Sequence, residues 1–279
     1  MDRRTFLAAA TGGVSTAFAG CLDRADTGAT PQPNAGTATP QSGVTVADII
    51  VRKAVTYESS MESGGVLAER GRQYVVATVR SERALSPSAF AFEADGESWE
   101  PGLPDTAGAV NYAVAGREGG AVGSPLGVDG SYLAFAVPSP LSASNARIRY
   151  EGAGGGEWPL PETARDRLGA PEPAFELTGL SVPQTVSQGQ PMTVSLTVEN
   201  VAETGGRFLA AVYWPTELIA DDDESHVVER TVDAGEEIDP SVTIDTQYTT
   251  DEDGDIRLRV RGHVTADREV SVTDASPPG

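Results

Sequence analysis

A chain of 279 residues is long enough for one large domain or two ordinary ones. Its 31 glycines, 19 prolines and 6% aromatic residues favour a loop-rich protein made of β-strands over a helical bundle. The 41 acidic and 20 basic residues give a net charge of -21. That charge argues against nucleic acid as a partner, which needs clustered basic residues, and against direct attraction to anionic lipid headgroups.

The basic residues are nearly all arginine, because Lys53 is the only lysine. At molar salt the Debye length falls to about 3 Å, so repulsion between surface carboxylates is largely screened. Abundant Asp and Glu with almost no lysine resembles the composition of proteins from extremely halophilic archaea. An ordinary acidic protein is the alternative.

The first twenty residues have the pattern of an export signal. Arg3 and Arg4 begin the sequence Arg-Arg-Thr-Phe-Leu, and an Ala- and Gly-rich stretch, 6–19, follows. That stretch is too short to span a bilayer, which needs about 20 apolar residues. Residues 1–20 resemble a twin-arginine signal peptide, which implies that Arg3 and Arg4 direct export.

The only cysteine, Cys21, directly follows Phe18-Ala19-Gly20. It has no partner for a disulfide within the chain, and both histidines lie far downstream. The four residues resemble a lipobox with Phe18 in place of the usual leucine, which implies a lipid on Cys21; a buried thiol is the alternative. Residues 21–43 then form a lipid-anchored, Thr- and Pro-rich linker that is expected to be disordered, because it has too few apolar residues for a core.

Short β-branched runs separated by Gly, Pro and Ser begin at residue 44 and predict antiparallel strands of a sandwich. In the first predicted domain, 44–160, strands are expected at 44–57, 73–81, 131–139, 146–151 and 156–160. The interdomain linker, 161–173, contains the only predicted helical turn, at 162–168, which Gly169 and Pro171 would end.

A second predicted domain, 174–275, has about seven strands and carries 21 acidic against 6 basic residues. In 192–198 and in 256–260, apolar residues alternate with polar ones, as in half-buried strands. Further strands are expected at 175–182, 207–214, 226–232 and 240–249.

Two resemblances follow from these strands. The segments GRQYVVATVRSE and SYLAFAVPSPLSASNARIRYE, with Phe135-Ala136-Val137-Pro138, resemble the telokin-like immunoglobulin-type domain of archaeal and bacterial lipoproteins. The segments GQPMTVSLTVENVAETGG and TTDEDGDIRLRV resemble adhesion-related or fibronectin-like sandwiches of surface proteins. Together they imply an all-β haloarchaeal lipoprotein with two immunoglobulin-like antiparallel β-sandwich domains in tandem, behind a disordered signal and linker.

Metal-binding patterns are sparse. Neither His226 nor His263 has a Cys or second His at ligand spacing, and both are predicted to be solvated. Asp251, Asp253 and Asp255 alternate within an acidic segment and are the candidate calcium ligands. They depart from EF-hand spacing, since Gly254 comes before the position that requires glycine and residue 262 is not acidic. A tight acidic turn is the alternative, and no other metal and no cofactor is predicted.

Catalytic patterns are sparse as well. Ser124 lies one place too early for a G-x-S-x-G elbow and a proline follows it. The glycine-rich segment 152–157 is predicted to be a hairpin tip. Trp99, Trp158 and Trp214 are predicted to be core residues, with a surface contact as the alternative. No catalytic residues are assigned, and the chain is not expected to be an enzyme.

We therefore expect a non-enzymatic cell-surface protein, exported and anchored to the outer face of the cytoplasmic membrane by a lipid on Cys21. Its domains would contact a protein or another component of the cell envelope, and not nucleic acid. The alternative is a substrate-binding accessory lipoprotein of a transporter, which a deep interdomain cleft lined by Trp and Arg would favour. An enzyme would require a convergent acid, base or nucleophile in a pocket.

The charge distribution predicts salt-dependent stability. We expect the melting temperature to fall when potassium chloride is lowered from molar concentration to about 0.1 M, because repulsion within 174–275 is then less screened. Thermal unfolding followed by circular dichroism measures the effect. An equal melting temperature at both concentrations would contradict the halophilic interpretation.

Overall fold

A computed structural model of the protein describes residues 43–59, 64–104, 111–124, 131–219 and 223–276. Within these ranges the chain is almost entirely β-structure, with one α-helix, α1 (Glu162–Gly169), and one 3₁₀ turn (Pro87–Ala89). The prediction of an all-β fold is confirmed. The helical turn predicted at 162–168 is confirmed as α1, whose Ala164 and Leu168 are buried.

The strands before α1 form three sheets in which every pair is antiparallel. The sheets are ordered β1-β4-β9, β11-β10-β5-β6 and β3-β2-β7-β8. Their strands are β1 (Val44–Arg52), β2 (Val55–Ser59), β3 (Gly64–Leu67), β4 (Arg72–Ser81), β5 (Phe90–Ala94), β6 (Glu97–Trp99), β7 (Asn111–Val114), β8 (Arg117–Glu118), β9 (Ser131–Pro138), β10 (Arg147–Tyr150) and β11 (Gly156–Pro159).

The sheet β1-β4-β9 is the middle layer of this first part of the chain. Val75 and Ala77 of β4 belong to a core shared with β5 and β10, whereas Val76 belongs to a second core shared with β2 and β7. In β9 the odd-numbered residues from Leu133 to Val137 belong to the first of these cores, and Tyr132 and Ala134 belong to the second. A strand buried on both faces is apolar along its whole length, which accounts for the sequence Tyr-Val-Val-Ala of β4.

The strands after α1 form two sheets. One has the order β12-β14-β17, with β18 also paired to β14, and the other has the order β13-β20-β19-β15-β16. Their strands are β12 (Phe175–Ser181), β13 (Thr185–Ser187), β14 (Met192–Asn200), β15 (Gly206–Pro215), β16 (Asp223–Val232), β17 (Glu237–Ile238), β18 (Ser241–Ile244), β19 (Gly254–Gly262) and β20 (Ala266–Thr273).

One core fills the space between these two sheets. Met192, Val194 and Leu196 of β14 pack there with Phe208 and Trp214 of β15. Because these β14 residues are buried at every second position, the predicted alternation is confirmed. We call the described residues 43–159 the first lobe and 175–276 the second lobe. The domain bounds 44–160, 161–173 and 174–275 remain predictions.

Two predicted strands are shorter than expected. The run 44–57 is interrupted at residues 53 and 54, between β1 and β2. The run 240–249 ends as a strand at Ile244, because the residues after it bend back. There the hydroxyl of Thr246 donates to the carbonyl of Gln190, and that of Thr249 donates to the carbonyl of Thr246.

The ladder between β15 and β19 ends at a glycine in an unusual conformation. Gly262 has a φ of +147°, and a Cβ there would overlap the carbonyl oxygen of Leu209 and the Cα of Ala210. Residue 262 can therefore be close to β15 only without a side chain.

We expect Gly262→Ala to lower the free energy of unfolding by about 2–4 kcal/mol, because the clash is with backbone that cannot rotate away. Urea unfolding in molar potassium chloride measures the change. Gly254→Ala is the matched control, since it lies on the same strand with open space around its Cβ, and should cost about 1 kcal/mol or less. Equal losses in the two variants would contradict this account.

Candidate functional site

The residues predicted to direct export and anchoring lie outside the described residues. The structure does not describe residues 1–42, which include Arg3, Arg4, Cys21 and nearly all of the predicted linker. Their roles remain predictions. No helix in the described ranges combines the length and the apolar character needed to cross a membrane.

The candidate calcium ligands accept hydrogen bonds from neighbouring segments. The carboxylate of Asp253 accepts from the backbone N–H of Ala275 at 2.8 Å, and that of Asp255 accepts from the hydroxyl of Ser271. Asp251 is exposed at the bend before β19. Across the described part of the chain, no three His, Cys, Asp or Glu residues come together in a way that could hold a metal ion.

His263 corrects a prediction, because it is packed in the second lobe and is not solvated. Its ring centroid lies 5.0 Å from that of Phe175 and 6.0 Å from that of Phe208. Its Nδ1 accepts a hydrogen bond from the backbone N–H of Leu209 at 2.9 Å, so the ring extends the ladder beyond Gly262. Burial lowers the pKa of His263 to about 4, although the carbonyl oxygen of Leu209, 3.1 Å from Nδ1, opposes that shift. His226 is partly buried in β16.

The three tryptophans pack against the two cores, as predicted. Trp158 and Trp214 are buried, and Trp99 packs with its ring centroid 5.6 Å from that of Phe92. The indole N–H of Trp214 donates to the hydroxyl of Thr249 at 2.7 Å.

The two lobes contact each other through β3 and β15. A small apolar cluster joins Ala54 and Val66 of the first lobe to Leu209 and Ala211 of the second. Hydrogen bonds also cross, among them one from the N–H of Gly64 to the hydroxyl of Ser225 at 3.2 Å. Another runs from Nη1 of Arg207 to the carbonyl of Ala54 at 3.1 Å.

Two glycines lie in close contact with side chains near the same junction. A Cβ on Gly65 would overlap the hydroxyl of Tyr213, and a Cβ on Gly206 would lie 2.5 Å from the Cβ of Pro173. Gly65 therefore lies against a side chain of the second lobe, and Gly206 lies against the segment that joins α1 to β12.

Lys53 holds the end of α1 against the first lobe. Its ammonium donates to Gln73 Oε1 at 2.8 Å, to Ser139 Oγ at 2.9 Å and to the carbonyl of Ala170 at 2.7 Å. These bonds use all three of its protons. Burial lowers the pKa of Lys53 to about 8, and the nearby carboxylate of Glu172 opposes that shift.

A cleft of about 730 Å³ opens where the lobes and the end of α1 meet. Its lining includes Arg52, Lys53, Arg167 and Arg207, along with residues 204–206 and Ala170, Pro171 and Pro173. We call this the junction cleft. Its only acidic residue among the described lining residues is Glu229.

The electrostatics of the junction cleft are those of a cationic site. Burial is the largest cause that lowers the pKa of Arg52, and the positive charges of Arg207 and Arg167 lower it further. Arg117 acts in the same direction, and only Glu229 opposes them. Each of these charges is therefore close enough to Arg52 to act on it.

One of these cations is neutralised within the cleft. Nε of Arg207 donates to Oε1 of Glu229, and this bond lowers the pKa of Glu229. In the described part of the chain, Arg52 and Arg167 have no such carboxylate partner. Elsewhere arginines are paired, for example Arg147 with Glu93 at 2.6 Å and Arg261 with Asp267 at 2.7 Å.

The sequence contains only part of the signal for this cleft. Arg52 and Lys53 are adjacent basic residues in an acidic chain, which could have marked one wall. Arg167 and Arg207 are distant in sequence, and only the fold brings them to the same opening.

Comparisons with known proteins identify no family. No protein-family model matches the chain, and no curated protein matches it at a significant level. A solved β-glucosidase from Listeria innocua in complex with gluconolactone is 20% identical over 39% of this chain and 17% of that chain, with a TM-score of 0.33. An alkylpurine DNA glycosylase from Pseudomonas fluorescens is 15% identical over 39% of this chain and 34% of that chain, with a TM-score of 0.30.

These structural neighbours are similar to this chain over a limited part only. A β-glucosidase from Erythrobacter marinus is 12% identical over 36% of this chain, with a TM-score of 0.32. The chain spans about a sixth of the length of the β-glucosidases that it matches.

The buried ring of His263 predicts a pH dependence of stability. Its pKa of about 4 in the folded chain lies below the ordinary 6.5, so the folded state favours the neutral ring. The contribution is complete above pH 6.5 and is lost as the pH falls towards 4, because the unfolded chain takes up the proton first. We expect the wild type to lose about 2 kcal/mol more than His263→Gln over that range.

Urea unfolding at a series of pH values measures this difference. The carboxylates common to both proteins cancel in the comparison. Parallel curves for the wild type and His263→Gln would contradict the buried neutral ring.

Proposed function

We propose that this chain is a non-enzymatic, exported, lipid-anchored surface protein whose two lobes bind an anionic group of an envelope partner in the junction cleft. The observation that carries the proposal is a cationic cleft between the lobes of a chain with a net charge of -21. Repulsion from the rest of the negative surface would weaken the binding of an anion outside such a site.

The proposal includes two immunoglobulin-like antiparallel β-sandwich domains in tandem. The facing sheets of the second lobe, with one core between them, support it. The first lobe also has facing sheets around a core, with the sheet β3-β2-β7-β8 added on the other face of its middle layer. That added sheet and Ala54, which directly precedes it, contact the second lobe.

Anchoring is the second component of the proposal. Arg3 and Arg4 would direct export, and a lipid on Cys21 would hold the protein at the outer face of the cytoplasmic membrane. The Thr- and Pro-rich sequence up to residue 43 would separate the lobes from the membrane surface. The acidic composition suits a protein that remains soluble at high salt.

A second candidate function is that of a substrate-binding accessory lipoprotein of a transporter. The volume of the junction cleft favours it, since small-molecule sites usually measure about 300–1,000 Å³. Arginines line the cleft as that function would require, whereas the tryptophans pack against the cores.

Crosslinking on intact cells tests the choice between the two functions. Capture of an envelope protein or glycan supports the surface-binding function. Capture of a permease, with loss of uptake of an anionic solute when the gene is deleted, supports the accessory function. Recovery of neither in crosslinking of the wild type would contradict both.

Anchoring leads to a separate prediction. We expect Cys21→Ala to move the protein from the membrane fraction to the medium, because no thiol remains to carry the lipid. Cell fractionation and immunoblotting measure the distribution. Changing Arg3 and Arg4 together to Lys should instead retain the protein inside the cell, and Cys21→Ala protein that stayed with the membrane would contradict lipid anchoring.

A further inference from the structure

Two arginines of the junction cleft are available for a ligand. Arg207 is bound to Glu229 and to the carbonyl of Ala54, and the ammonium of Lys53 is fully used by three oxygen atoms. Arg52 donates to the carbonyl of its own neighbour, Val51, at 3.2 Å and has no carboxylate partner in the described ranges. Arg167 lies exposed on α1.

The surroundings of Arg52 disfavour its positive charge. Burial and three neighbouring positive charges all lower the pKa of Arg52, so its charged state is held against desolvation and repulsion. A single carboxylate, that of Glu229, opposes them. A bound anion would offset both costs.

We propose that the junction cleft binds a multivalent oxyanion, a phosphate- or carboxylate-bearing group with at least two negative charges, between Arg52 and Arg167. The oxyanion site rests on the proposed function, because it supplies the ligand chemistry for the same cleft. Guanidinium groups present several N–H donors in a planar fork that matches phosphate and carboxylate oxygens. Chloride is a single atom with one charge, so it cannot offer a guanidinium group two separate oxygen acceptors. A multivalent oxyanion can therefore compete with chloride at high salt.

The fold holds both arginines in fixed positions. Arg52 ends β1, which pairs along its length with the middle strand β4. Arg167 lies on α1 between two buried apolar positions, since Ala164 and Leu168 both pack into the core of the first lobe. The end of α1 is held by Lys53 through the carbonyl of Ala170. Positions fixed in advance lower the entropy cost of binding.

Calorimetric titration of the purified chain in molar potassium chloride tests the proposal, with inorganic pyrophosphate and citrate as probes and acetate as the monovalent control. We expect pyrophosphate or citrate to bind with a stoichiometry of one and to raise the melting temperature, as a ligand of the folded state must. Acetate should have little effect. Failure of both multivalent probes to bind would overturn the proposal.

Substitutions locate the site. Arg167→Gln and Arg52→Gln should each weaken binding at least tenfold, which is about 1.4 kcal/mol. Because Arg167 is exposed, its variant is expected to fold even if the Arg52 variant does not. Arg165→Gln is the matched control: it removes the same charge from the same helix but lies outside the lining of the cleft. Equal affinity of Arg167→Gln and wild type would overturn the assignment.

A final arm distinguishes a free oxyanion from a lipid headgroup. In this arm, Cys21→Ala protein is floated with phosphatidylglycerol vesicles and, separately, with phosphatidylcholine vesicles. A lipid headgroup is identified if the protein floats only with phosphatidylglycerol, if pyrophosphate reverses that flotation and if Arg167→Gln abolishes it. Binding of pyrophosphate or citrate without flotation would identify a soluble ligand. Binding in the cleft by a protein that is not anchored at Cys21 would separate this site from the anchoring part of the proposed function.

Discussion

The ammonium of Lys53 donates hydrogen bonds to three segments of the chain that are far apart in sequence. Its acceptors are on β4, just after β9 and just after α1. Gln73 adds bonds from its amide to the carbonyls of Pro138 and Leu168, at 2.7 and 3.0 Å. The carbonyls at the end of α1 thus receive donors from the first lobe, which satisfies groups that a helix leaves unpaired. The direction in which the chain leaves α1 is set by these bonds.

That direction determines the walls of the junction cleft. After Ala170 the chain passes through Pro171 and Pro173, and Pro173 packs against Gly206 of the second lobe. One wall of the cleft is therefore the end of β1, another is α1, and a third is the start of β15. In a chain with 41 acidic residues, the solvent-facing surface is negative while this recess is positive. Salt screens exposed charges far more than partly buried ones, so the contrast persists at high ionic strength.

The sequence predicted most of the regular structure and little of the site. The alternation of apolar and polar residues predicted β14, and Gly169 and Pro171 predicted the end of α1. Both predictions succeeded because they depend on local patterns in the sequence. The prediction that His263 is solvated was wrong, because its ring accepts a hydrogen bond from the backbone N–H of Leu209 in place of a backbone carbonyl. A side chain in that role has no characteristic neighbours in sequence. The junction cleft depends on Arg52, Arg167 and Arg207, which three different elements bring together, so only tertiary structure reveals it.

The junction also decides how such a cleft could work. Sites between two lobes often close by a hinge, which needs a segment able to rotate. Here the apolar cluster of Ala54, Val66, Leu209 and Ala211 lies beside the cleft, and Gly65 and Gly206 are in close contact with Tyr213 and Pro173. The bond from Arg207 to the carbonyl of Ala54 also crosses from one lobe to the other. A ligand would therefore meet a preformed site, and its selectivity would depend on charge and on guanidinium geometry rather than on domain closure.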